Sequence, residues 1–383
     1  MIRRQKTIDL LKQKLDDASI RCIALIGEKG IGKSTLLREL EGEGFFGNEG
    51  EYSYIFSESE SDLNTQELFK NGITIIDSEN SRPDEYWKSI IDTIPEGKKL
   101  ILTSEMRVEI DTVENITLGI VSFREYADSQ GYPVEISKIL AGESNTEKLN
   151  QLKEVYMERG GFPNHLSNPE SISDDFNSKR AIIESKVFKK EAESIMEFMR
   201  TLAMNMGNLF KADQIAKLLG ISRRKVHKYT GILQELGIIK AIGPWGQNSL
   251  TETSRHVKIY FSDLSFVKSL LGDTYNQGTL KQGSIENFIY LELERKLDAS
   301  HTISYYRKKS GAEITFILEN SATETITPVL VTLRESESIS QVFKTFDEDY
   351  HNKIERYMLV NGGLGGKKDI YGTPFIIIPH VAI

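Results

Sequence analysis

The chain has 383 residues, 39% hydrophobic and 27% charged, with a formal net charge of −8. That length exceeds one ordinary core and predicts two or three domains. The negative charge argues against nucleic acid as a partner of the whole surface, so any such contact needs a local basic patch. The single cysteine, Cys22, excludes an internal disulfide, and six scattered histidines argue against a zinc site. No apolar run approaches the about 18 residues of a spanning helix. The N-terminal "MIRRQKTIDLLKQKLDD" lacks the apolar centre of a signal peptide. The expectation is a cytoplasmic protein with no membrane partner.

Ile8, Leu11 and Leu15 stand at helical spacing and predict a surface helix. Strand and helix signals then alternate. "RCIALIG", "EYSYIF", "GITIID" and "KKLILTS" read as strands, and "KSTLLRELEG" and "PDEYWKSIIDTI" as helices. Such alternation predicts a parallel sheet in an α/β domain. Phe123 to Phe210 reads as mostly helical, broken by "GGFPNHL". From Lys211 to Lys240 the spacing is that of a helix-turn-helix. Ile215, Leu218 and Leu219 mark one helix, which Gly220 ends. Ser222 caps a second, with Val226, Tyr229, Leu233 and Leu236 on one face. "HVKIYFSDL" would supply a wing strand. The last part reads as a helix, Ser284–Leu297, followed by strands "TISYYRK", "AEITFIL", "TPVLVTL", "RYMLVNG" and "FIIIP". "NSLTETSR" and "GDTYNQGTLKQG" read as connections.

The stretch "GEKGIGKST" satisfies the phosphate-loop pattern G-x-x-x-x-G-K-[ST] through Gly27, Gly32, Lys33 and Ser34. The candidate nucleotide-binding residues are Gly27, Glu28, Lys29, Gly30, Ile31, Gly32, Lys33, Ser34 and Thr35. The glycines let backbone N–H groups turn toward phosphates. Lys33 is placed for the β- and γ-phosphates, and Ser34 offers a hydroxyl to Mg²⁺. The helix beginning at Lys33 aims its positive end at the same anion. Asp77, at the end of "GITIID", is the second candidate metal residue. Hydrolysis usually needs another carboxylate beside it, but Ser78 follows directly. Glu79, one residue on, is either the catalytic partner of Asp77 or an exposed side chain. Thr103 and Ser104 end "KKLILTS" and read as γ-phosphate sensors or as caps of the next turn. Arg107 and Arg124 are arginine-finger candidates by position alone.

Arg223, Arg224, Lys225, His227 and Lys228 crowd the start of the second helix-turn-helix helix. In DNA-binding versions that end enters the major groove, where Arg223, Arg224, Lys225 and Lys228 would reach bases or phosphates. A solvated face or a protein-docking surface is the competing reading.

These motifs fall into one order. The chain resembles a group of bacterial and archaeal AAA-like ATPases in which a P-loop ATPase domain precedes a winged helix. A restriction-endonuclease-like, PD-(D/E)XK domain follows. "GEKGIGKSTLL" is similar to the family's phosphate loop, "LILTSEM" to its sensor strand and "LGIVSFREYAD" to its L-x-P-L-S-F-x-E-Y segment. "GGFPNHL" is similar to its Gly-Gly-x-Pro turn, and "GISRRKVHKYTGILQELGIIKAI" to its winged helix. "KIYFSDLSF", "GSIENFIYLELERKL" and "ISYYRKKSGAEITFIL" follow the order of its C-terminal half. The resemblance implies an ATPase domain with helical lid at 1–205, a winged helix at 206–275 and a nuclease-like domain at 276–383. It implies ATP and Mg²⁺ as ligands.

The chain departs from the family pattern where chemistry is concentrated. The Walker B glutamate and the Gly-Arg pair before "IVSF" are missing. In the nuclease motif Glu313 remains, but Thr315 replaces the aspartate, and Leu330 and Thr332 replace the glutamate and lysine. Glu286 survives on the preceding helix. Threonine and leucine cannot build an acid pair for a metal. The expected function is therefore an ATP-dependent switch or a non-hydrolysing ATP-binding scaffold, with nuclease activity disfavoured. The partner classes left open are duplex or branched DNA, a protein, and further copies of the chain.

Overall fold

The computed structural model describes residues 2–57, 68–78, 82–246, 257–275, 279–298, 300–308, 311–333, 341–363, 365–370 and 373–383. The chain divides into two compact units, residues 1–121 with 162–164, and residues 122–161 with 165–383.

The first unit is built on five parallel strands. They are β1 (Cys22–Ile26), β2 (Tyr52–Ser57), β3 (Ile73–Ser78), β4 (Lys99–Ser104) and β5 (Val113–Thr117), in the order β2-β3-β4-β1-β5. Its helices are α1 (Gln5–Asp16), α2 (Lys33–Gly42) and α3 (Asp84–Ile91). Side chains alternate across a strand, so each strand feeds two cores. Ile23, Leu25, Ile75 and Ile101 pack on one face with Ile8 and Leu11 of α1 and Leu36, Leu37 and Leu40 of α2. Cys22, Ala24, Ile76, Leu100 and Leu102 pack on the other with Trp87, Ile90 and Ile91 of α3. Both faces are covered, which is why these strands read as continuous apolar runs.

The second unit begins with helices α4 (Phe123–Ser129), α5 (Ile136–Leu140) and α6 (Thr146–Arg159). Then come α7 (Pro163–Ser167), whose first two residues count to the first unit, α8 (Ser171–Ser185) and α9 (Ala192–Met204). Ser122 starts α4 with a reciprocal capping box to Glu125. A helix pair follows, α10 (Ala212–Leu219) and α11 (Arg223–Glu235). Gly220 closes α10 in the left-handed region at φ +62°, and the Ser222 hydroxyl accepts the Lys225 N–H at the start of α11. Val226, Tyr229 and Leu233 are fully buried as the spacing predicts, but Leu218 is 70% exposed and does not join Ile215 in the core.

Strands β6 (Leu209–Phe210), β7 (Ile239–Ile242) and β8 (Val257–Phe261) form a small antiparallel sheet with β8 in the centre. Beyond it lie α12 (Leu264–Leu271) and α13 (Thr279–Glu294). The last sheet holds β9 (His301–Arg307), β10 (Glu313–Asn320), β11 (Thr325–Val331), β12 (Tyr357–Asn361), β13 (Gly366–Ile370) and β14 (Thr373–Pro379). Its order is β13-β14-β12-β11-β10-β9, and α14 (Gln341–Tyr350) precedes β12. α13 starts at Thr279 rather than Ser284, so part of the expected connection "GDTYNQGTLKQG" is helical. The "NSLTETSR" connection lies outside the described residues. Phe288, Phe316 and Val331 are core residues, while Tyr306 is only partly buried and packs its ring against Phe346.

β8 is tied to α13 by a side chain that imitates a strand. β6 pairs only with Val257 and Lys258, which leaves the edge at Phe261 open. Asn287 of α13, fully buried, accepts the Phe261 N–H at 2.7 Å and donates to its carbonyl at 2.8 Å. Both backbone groups are thus satisfied away from water.

Candidate nucleotide site

β1 delivers the chain directly into the phosphate loop. Gly27 donates its N–H to the Ser104 carbonyl at 3.0 Å, which fastens the loop to the end of β4. A Cβ on Gly27 would stand 2.5 Å from the Leu118 carbonyl oxygen, so only glycine fits there. Gly32 caps α2 at φ +96°, a conformation that side chains resist. Ile31 is buried in the core and anchors the loop from below, while Glu28, Lys29, Gly30, Ser34 and Thr35 are exposed above it. The first N–H groups of α2 have no intrahelical acceptors and form the positive end of the helix.

Lys33 lies under this loop. It is 9% exposed, and its Nζ donates to the carbonyls of Gly27 at 2.6 Å and Glu28 at 3.1 Å. Burial pulls its ammonium below the ordinary lysine range, against the opposing fields of Glu105, Asp77 and Glu28. A buried cation whose hydrogen bonds among the described residues go to neutral carbonyls gains from an approaching anion.

The Ser34 hydroxyl donates to Asp77 Oδ1 at 2.9 Å. That bond fixes the hydroxyl hydrogen and leaves the oxygen lone pairs for a cation. Asp77 is the next-to-last residue of β3, at 1% exposure. β4 lies between β3 and β1, so the acid is one strand removed from the loop strand. The β3–β4 ladder runs to the pair Ile76 and Leu102, and there the Thr103 side chain takes over. Its hydroxyl accepts the Ser78 N–H at 2.8 Å and lies 3.2 Å from both Asp77 Oδ1 and the Ser78 carbonyl. Thr103 therefore pins the acid-bearing strand end. Ser104 instead holds the next turn, its hydroxyl accepting the Met106 N–H at 3.3 Å. Ser78 is buried at 8% exposure, and Glu79 lies outside the described residues. Arg107 is exposed and pairs with Glu109 at 3.4 Å.

One participant was not read from the sequence. Tyr54 of β2 donates its hydroxyl to Asp77 Oδ2 at 2.7 Å. The parallel register sets Tyr54 opposite Ile75, on the face that Asp77 shares two residues later. "EYSYIF" reads as a strand, but the register shows which tyrosine meets the acid.

Loop, helix start and acid come together on a parallel α/β sheet, the arrangement of a P-loop fold. Among solved structures the chain is similar to the Walker-type ATPase PABY2304 of Pyrococcus abyssi. The identity is 13%, with 70% of this chain and 96% of that chain covered and a TM-score of 0.40. It is also similar to Drosophila ORC bound to DNA, at 12% identity over 70% of this chain and 85% of that chain, with a TM-score of 0.25. The fold class rests on the loop and sheet geometry rather than on either likeness. A family described as a domain of unknown function, DUF8612, matches residues 149–277. No curated protein matches the chain.

The basic residues of α11 are partly engaged. Lys225 and Lys228 both pair with Glu191, at 3.0 and 2.9 Å, and hold its carboxyl down at about 2. Arg223 lies 3.4 Å from Asp213. Arg224 and His227 are exposed.

The surviving acids of the C-terminal half meet a lysine. Lys258 of β8, 1% exposed, contacts Glu313 of β10 and lies 3.7 Å from Glu286 of α13. Arg307 adds a second cation to Glu313 at 2.8 Å. Thr315 accepts the Val331 N–H at 3.1 Å, so the residue at the lost aspartate position serves the sheet. No cluster of three metal-ligating side chains occurs among the described residues.

Proposed function

We propose that the chain binds ATP with Mg²⁺ at Gly27–Thr35 and acts as a nucleotide-dependent switch for a DNA or protein partner. The observation that carries this reading is the joined set of Lys33, Ser34 and Asp77 around a glycine-built loop. Ser34 and Asp77 would hold Mg²⁺, which would supply positive charge against the phosphates. Lys33 would exchange its carbonyl contacts for phosphate oxygens, and the α2 N-terminus would face the same anion.

In this reading residues 206–275 are a winged helix, supported by the α10–α11 pair and the sheet β6-β8-β7. Residues 276–383 are a nuclease-like domain used for docking rather than cutting, because an ammonium already sits between Glu286 and Glu313. Phosphates reaching α11 would compete with Glu191 for Lys225 and Lys228.

A second reading, a non-hydrolysing ATP-bound scaffold, is favoured by Ser78. It follows Asp77 directly, carries no carboxylate and is bound to Thr103 through its backbone. Steady-state ATP turnover with and without duplex DNA separates the two. DNA-stimulated turnover that Lys33→Ala removes supports the switch, whereas tight binding without turnover supports the scaffold.

A further inference from the structure

We propose that Tyr54 is a positioning residue that competes for Asp77 and thereby sets the magnesium requirement of nucleotide binding. The proposal deepens the nucleotide reading of this site and rests on it. Asp77 is almost fully buried, and its two oxygens are unequally used. Oδ1 faces the hydroxyls of Ser34 at 2.9 Å and Thr103 at 3.2 Å, whereas Oδ2 accepts the Tyr54 hydroxyl at 2.7 Å. A hydrogen bond to a carboxylate is among the stronger kinds, so Tyr54 competes for Oδ2 by holding one of its two acceptor positions.

Tyr54 is itself fixed. The Arg38 guanidinium carbon lies 3.7 Å from its ring centroid, and Arg38 is braced by Glu41 at 3.0 Å. The phenol is a hydroxyl donor facing a carboxylate that can only accept, so the bond runs from Tyr54 to the acid. Giving that Oδ2 position to a metal-bound water means breaking the Tyr54–Asp77 bond, and turning the ring to do so also gives up the Arg38 stacking. Ser34 needs no such movement, because its bond to Oδ1 leaves its oxygen free toward a cation. Magnesium-free nucleotide binding, which depends on Lys33 and the loop backbone, does not involve Oδ2.

The test is calorimetric ATP titration of the full chain across a range of free Mg²⁺, with an EDTA arm, for wild type and Tyr54→Phe. Phenylalanine keeps the ring under Arg38 and removes only the hydroxyl, and a thermal melt checks that the fold is retained. The expected result is unchanged affinity in EDTA and a half-saturating Mg²⁺ lower by about tenfold, the scale of one net hydrogen bond. An unchanged or higher Mg²⁺ requirement in Tyr54→Phe, with wild type binding ATP, overturns the role of Tyr54 and leaves the nucleotide reading standing. Absence of ATP binding by wild type at every Mg²⁺ level overturns both.

Discussion

Replacing Lys258 by methionine should destabilise the second unit strongly, and more at neutral than at acidic pH. Methionine keeps the buried stem and removes only the charge. Breaking one partner out of a buried ion pair costs about 3–5 kcal/mol, because the other charge stays behind without compensation. The two carboxylates would not suffer equally. Glu313 keeps Arg307 at 2.8 Å and is 22% exposed. Glu286, 12% exposed, keeps among the described residues Gln282 at 2.8 Å. Most of the loss therefore lies at Glu286, and the lower end, about 3 kcal/mol, is expected. Burial already raises the Glu286 pKa above the ordinary glutamate value. A carboxyl raised on folding contributes stability that is full below its unfolded value and lost as pH rises through its folded value. Without Lys258 the folded value rises further, so the deficit should shrink as pH falls from 7 toward 5. Urea unfolding followed by fluorescence measures this. Trp245 reports on the right region, since its ring packs on Phe346 and Tyr350. A deficit below about 1 kcal/mol at pH 7, the scale of an exposed pair, would refute the reasoning. So would a large deficit that ignores pH.

Three further outcomes follow from the same contacts. Cys22 is fully buried on β1 and burial pushes its thiol up to about 12, so a thiol reagent should label it only on unfolding. Labelling of the native protein at the rate of a free thiol would contradict its place in the sheet. If α11 binds DNA, neutralising Arg223, Arg224 and Lys228 together should flatten the log-affinity against log-salt slope by about 2 rather than about 3. The reason is that Lys228 already pairs with Glu191. An unchanged slope would return these residues to an ordinary solvated surface. Linear, nicked and branched DNA should all survive incubation with Mg²⁺ or Mn²⁺, with or without ATP. Cleavage that disappears in Glu313→Ala would overturn the docking reading of the C-terminal domain.

What could be read from the sequence was set by how local each signal is. The phosphate loop is a contiguous pattern between a strand and a helix, so its glycines, Lys33 and Ser34 were legible at once. Asp77 was legible because a polar residue closes an apolar run. Tyr54 was not, because its partner depends on the β2–β3 register, which no local pattern carries. Lys258 reads as an ordinary strand lysine, and its burial between Glu286 and Glu313 appears only when β8, α13 and β10 come together. β5 was missed because "VENIT" mixes polar and apolar residues on an edge strand. Leu218 marks the helix by its spacing with Ile215, but spacing alone does not tell which of the two faces inward: Ile215 is buried and Leu218 exposed.

The central claim is that the loop of Gly27–Thr35 holds a magnesium nucleotide through Lys33. Calorimetric titration of ATP with Mg²⁺ into wild type and Lys33→Ala tests it most directly. Among the described residues the variant loses two hydrogen bonds, both to loop carbonyls, and it should fold as the wild type does. Wild type should bind in the micromolar range and Lys33→Ala should show no binding in that range. Equal affinity in the two proteins, or no binding by a folded wild type, would contradict the account.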